Sequence, residues 1–153
     1  MIMRMQQLRE ILTHLADDHL AMKRLYKRLH HHADSTRTQL VLAYLQQHQQ
    51  HAADAIYHYL DDAPERVLDT WYENIAEDSF PAHCEQIIAS ADLDMDQLMA
   101  LHLALDNQLL AYLDSAVCAA PTDNIRQALA GLLQSGKNQQ QRLVHSTLRM
   151  SDI

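Results

Sequence analysis

His19 and His48 fall on helical apolar seams, at positions where a packed helix would carry leucine. His51 lies one turn beyond His48 on a neighbouring row. Neutral imidazoles suit zinc, copper, nickel or ferrous iron better than calcium or magnesium, and three of them with an open fourth position make a catalytic-type zinc arrangement. His102 and Asp106 stand four residues apart. On a helix they share a face, so one can act as a ligand while the other holds it in place. The candidate metal ligands are therefore His19, His48 and His51, with His102 and Asp106 able to complete or support the set. The same residues admit a plainer reading, as core histidines hydrogen-bonded to one another, to Gln47 or to Gln140. Asp17 and Asp18 read as a solvated face, and His58 and His145 as weaker members.

Helices must bring these residues together. Leu8, Leu12, Leu15, His19, Met22, Tyr26 and Leu29 recur at alternating steps of four and three, the spacing of one buried helix face. Val41, Leu45, His48, Ala52, Ala55 and Tyr59 repeat the pattern. Further seams run through Leu98, Leu105 and Leu109, and through Ile125, Leu129 and Leu133. The spacing predicts helices over residues 5–31, 37–60, 94–118 and 123–150. Ala33-Asp34-Ser35-Thr36 reads as a loop with an N-cap, and Pro64 and Pro81 punctuate the chain. Between them, residues 65–77 read as one short helix carrying Trp71, Tyr72 and Ile75, and residues 82–90 as another turn or two. The connection between the second and third long helices spans roughly thirty residues, against the usual two to eight in bundles. It is long enough to return the chain to the far end before the third helix starts. The expected fold is all-α: one domain, residues 1–153, of two antiparallel helical hairpins joined by a long crossover.

Composition agrees. Two glycines, three prolines and 5% aromatic residues leave little room for sheet. The net charge of -8 excludes a nucleic-acid backbone as partner, because no basic stripe is available to displace counterions. No window holds 18 uncharged apolar residues, so no membrane span is expected. The opening MIMRMQQLREIL has no long apolar run, and Cys84 and Cys118 form no CxxC pair. A cytoplasmic protein with reduced thiols is the expectation. No phosphate loop, nucleophile motif or nucleotide fingerprint is present.

The chain resembles the ferritin-like superfamily, especially its small rubrerythrin-type members. In that family the first and third helices each supply a glutamate seven residues before a tyrosine, and the second and fourth each supply a Glu-x-x-His pair. Here His19 stands seven residues before Tyr26, and Gln47-His48-Gln49-Gln50-His51 is similar to the family's Glu-Glu-x-x-His run. In the second hairpin the equivalent positions hold Leu105, residues near Gly136 or Lys137, and Gln140. The resemblance implies a one-crossover four-helix bundle. With most carboxylates replaced, it does not imply diiron oxidase or ferroxidase chemistry. It implies a divergent ferritin-like protein holding one transition-metal ion, zinc or iron, on the first two helices, with a role in metal handling or stress. The alternative is a metal-free helical scaffold that acts by dimerising or by binding a protein partner. Trp71, Tyr72 and Phe80 are candidate packing residues or homodimer contacts.

Overall fold

The computed structural model describes residues 2–76 and 79–151, and those residues are mostly helical. In chain order the elements are β1 (Ile2–Gln7), α1 (Leu8–His32), α2 (Thr36–Asp62), α3 (Glu65–Leu68), β2 (Trp71–Ala76), α4 (Phe80–Gln86), α5 (Met95–Ala119) and α6 (Asp123–Ser151). The four long helices, α1, α2, α5 and α6, match the four predicted segments to within a few residues at each end. Their starts are chemically marked. Ser35 caps α2 by accepting from the Thr38 amide. Asp94 and Gln97 form a reciprocal capping box at α5, satisfying two amide donors that the first turn leaves free.

The apolar faces meet in one interior. Leu12, Met22, Leu25, Leu42, Leu45, Leu98, Leu105, Ile125 and Leu129 are all essentially solvent-free. Helix α1 packs on α2 and α5 packs on α6; weaker contacts join α1 to α5 and α2 to α6. The helix directions follow from cross-helix contacts. Along α2 and α5, positions rise together from the pair Thr38 and Leu93 to the pair His48 and His102. Along α1 and α2 they run oppositely, from the pair Asp17 and Tyr57 to the pair Lys23 and Gln50, and the short turn at residues 120–122 sets α6 against α5. Helices α2 and α5 therefore run together, and α1 and α6 run opposite to them.

That arrangement needs a connection as long as the helices, and the hydrogen bonds trace it. At the start of α1, the Leu8 amide donates to Thr70 O (3.0 Å), and Arg9 pairs with Asp69 (3.0 Å). Near the end of α1, Arg28 donates to the carbonyls of Cys84 (3.0 Å) and Ile87 (2.9 Å). At the turn between α1 and α2, the Asp34 amide donates to Ala91 O (2.9 Å) and Thr38 Oγ1 donates to Leu93 O (3.2 Å). The connection thus climbs the whole of α1, with Phe80 and Cys84 of α4 buried against it.

Two expectations about this connection and the start of the chain are corrected. Residues 65–77 are not one helix: α3 stops at Leu68, and residues 71–76 form a strand, while Glu77 lies outside the described residues. Residues 5–7 are not the first turn of α1 but the end of β1. The two strands pair antiparallel, with Gln7 opposite Trp71 and Met5 opposite Glu73. Aromatic and branched residues such as Trp71, Tyr72 and Ile75 favour a pleated ribbon once a partner strand is present, and that partner is distant in sequence. Among the described residues no helix is long and apolar enough to cross a membrane. Asp94→Ala should cost about 1 kcal/mol, the usual loss for an N-cap. Urea unfolding should show it as a lower midpoint with an unchanged m-value.

Candidate functional site

Midway along the interior the seams change from leucine to polar side chains. On α1 the change comes at His19, whose Nδ1–H donates to Gln49 Oε1 of α2 at 2.7 Å. On α5 it comes at His102, whose Nδ1 is 2.8 Å from the Tyr26 hydroxyl of α1. The His48 ring stacks beside Tyr44 and stands edge-on to His102, with centroids 6.5 Å apart. One turn on from His102, Asp106 accepts at Oδ2 from Gln140 Nε2 of α6 at 2.8 Å. All four long helices contribute to this layer.

Burial governs its electrostatics, because a low-dielectric site disfavours whichever form is charged. Burial, reinforced by the neighbouring His48 and His19, pushes His102 down to about 3. Burial also lowers His19, against the opposing hydrogen bond to Gln49. It lowers His48, against the attraction of Asp106. The Asp106 carboxyl is raised by burial, against Gln140 and His48. The layer therefore holds neutral imidazoles with free lone pairs, next to a carboxylate that is short of donors. Among the described residues, neither His102 Nε2 nor Gln49 Nε2, both buried, has a hydrogen-bond partner.

The structure brings four of the five expected residues together and leaves one out. His19, His48 and Asp106 line one cavity, and His102 adjoins it through His48. His51 is exposed, on the outside of α2. The reason is rotational. The buried face of α2 runs through Leu42, Leu45, Gln49, Ala53 and Ile56, one residue further round than the expected seam. At about 100° per residue, His51 then points about 200° from Gln49. Among the described residues, no three His, Cys, Asp or Glu side chains converge closely enough to hold an ion as they stand.

Of the other positions, Asp18 differs from expectation. Asp18 is buried, at 3% exposure, while Asp17 is exposed and accepts from Tyr57. His58 is an exposed partner of Asp62, and His145 is exposed. Cys84 and Cys118 are both free, and burial pushes the Cys84 thiol up to about 11. Two groups orient the imidazoles: Tyr26, which the sequence marks as a seam residue and as the tyrosine following His19, and Gln49, which it does not mark as a site residue. The signal for Gln49 was a second apolar row on α2, Leu42-Leu45-Ala53-Ile56, with one glutamine in its middle.

Below the layer lies a cavity of about 60 Å³, walled by Leu15, Ile56, Leu109, Leu113 and Leu132. Fold and layer together define a helical protein built around a buried imidazole–carboxylate layer with an apolar cavity beneath it. The chain matches no known protein family, no curated protein and no solved structure.

Acid should destabilise this fold. His102 titrates lower in the folded chain than its unperturbed value, so the unfolded state binds the proton first as pH falls. The associated stability is complete above about pH 6.5 and is lost progressively as pH falls toward the folded value. At pH 5 one such group costs about 2 kcal/mol, or roughly 5 °C in Tm for a chain of this size. Asp106 acts in the opposite sense, and only between its ordinary value of 3.8 and its raised folded one. Calorimetry from pH 8 to 5 tests this, and a flat Tm would show that the imidazoles are not held neutral.

Proposed function

We propose that the protein is a divergent ferritin-like helical protein whose polar layer takes up one transition-metal ion through His48, His102 and Asp106, with His19 beside them. The reading rests on one observation above the rest: His102 Nε2 is fully buried and unpartnered. An orphaned polar atom of this kind costs about 1–3 kcal/mol, and a bound cation would recover it. The orientation supports the same reading. Metal-bound histidines usually have their second ring nitrogen tied by a hydrogen bond. Here His19 Nδ1–H donates to Gln49, which leaves its Nε2 a lone pair, and the Tyr26 hydroxyl engages His102 Nδ1; in the tautomer in which that hydroxyl accepts, His102 Nε2 also carries a lone pair. The antiparallel hairpins and the crossover that climbs α1 support the ferritin-like assignment.

The donor set of imidazoles and one carboxylate suits zinc or ferrous iron. It supports one ion and not two, because Leu105 and Gln140 occupy positions where the family carries ligands. Uptake requires side-chain rotation, since the His48 and His102 rings stand 6.5 Å apart. A role in cytoplasmic metal handling or stress protection follows from the resemblance alone. A metal-free scaffold is the second reading. The separation of the ligand side chains favours it, as do the hydrogen bonds that already engage Asp106 and two imidazoles. For homodimerisation, the exposed candidate is the outer face of the ribbon, which carries Met5 and Trp71 at 56% and 55% exposure.

Untagged protein loaded with zinc or ferrous iron and dialysed should retain about one ion per chain by elemental analysis, as one donor set allows. His48→Ala and His102→Ala should abolish retention, and His51→Ala should leave it unchanged. Sub-stoichiometric metal that is indifferent to His48 and His102 would establish the metal-free reading.

A further inference from the structure

The cavity below the polar layer has two chemically different ends. Of its lining, His19, His48 and Asp106 are polar, while Ile56 and Leu113 stand about two helical turns further along α2 and α5 from His48 and Asp106. On α2 it extends from His48 to Ile56. At 1.5 Å per residue that is about 12 Å, which with the small volume makes the space long and narrow. Ala52 and Ala55 of α2 and Ser135 and Gly136 of α6 also line it. Ala55 and Ser135 are exposed, so the space communicates with solvent. Gly136 is small for a local reason: a Cβ there would meet Leu110 Cδ2, another lining residue, at 3.0 Å.

The polar end presents acceptors. His19 uses its Nδ1–H on Gln49, so its Nε2 carries only a lone pair. Asp106 offers about four lone-pair sites, of which the Gln140 amide fills one. Among the described residues, no lysine or arginine lines the cavity. The complement of such an end is a donor, and the adjacent carboxylate favours a positively charged one. A carboxylic acid would place its anion against Asp106, and an alcohol would leave the carboxylate charge uncompensated. The net charge of -8 raises the local concentration of cations at the cavity.

We propose that the cavity binds a short linear primary alkylamine, with its ammonium group on Asp106 and His19 and its chain along Leu109, Leu113 and Ile56. This does not rest on the metal reading. An ion and an ammonium group would compete for Asp106.

The test is calorimetric titration of chelator-treated full-length protein with n-hexylamine, hexan-1-ol and sodium hexanoate near pH 7.5. Hexylamine should bind at least about tenfold tighter than hexanoate, a difference of about 1.4 kcal/mol. Asp106→Asn should erase the preference for amine over alcohol. Ala52→Leu, which fills part of the cavity, should weaken both amine and alcohol at unchanged Tm, and Ser135→Leu does the same from α6 should the first variant fail to fold. Hexanoate binding as tightly as hexylamine, an amine preference that survives Asp106→Asn, or amine binding indifferent to both filling variants overturns the proposal. Zinc should displace the amine; amine binding untouched by saturating zinc leaves the amine site standing and removes the metal reading alone.

Discussion

Polar side chains at the centre of a helical core impose one constraint on this protein: each buried polar atom must find a partner inside, because burial strips it of water. The fold meets that constraint by drawing partners from different helices. Tyr26 of α1 engages His102 of α5, Gln49 of α2 engages His19 of α1, and Gln140 of α6 engages Asp106 of α5. These cross-helix bonds fix the register of the bundle at its midpoint, where apolar contacts alone would tolerate sliding. Among the described residues they leave His102 Nε2 and Gln49 Nε2 without partners. A buried layer that is almost satisfied, beside a small cavity, marks the place where a ligand would complete the structure.

The long crossover is the second requirement. With a short turn, α5 would start beside the end of α2 and run opposite to it, and His102 and Asp106 would be carried to a different level. Because the connection climbs α1, α5 starts near Asp34 and Thr38 and runs alongside α2. This brings residue 102 level with residue 26, and residue 106 level with residues 19 and 48. The contacts of Arg28 with Cys84 O and Ile87 O belong to the architecture of the site, although they lie outside it.

The layer combines two demands that conflict in water. Neutral imidazoles require dryness, which lowers their proton affinity, whereas a carboxylate in the same place requires a cation or donors. The cluster is consequently poor in protons and rich in acceptors, a property that both a metal ion and an ammonium group would use. With imidazole, leucine and amide side chains at His19, His48, Leu105 and Gln140, Asp106 is the carboxylate of this layer, which limits its anionic charge.

The all-α character, four long helices, their caps at Ser35 and Asp94, and the need for a crossover were legible in the chain, because 3.6-residue periodicity and capping chemistry are local. So were His19, His48, His102 and Asp106 as candidates. Tertiary structure decided the rest. Whether α2 turns the His48 row or the Gln49 row fully inward depends on a rotation of a single residue's worth, and only packing against α1 selects it. The same limit hid the ribbon of β1 and β2, since strand pairing joins residues some seventy positions apart and no local period announces it. Periodicity names the side chains that can be buried together; only the packed helices decide which of them meet.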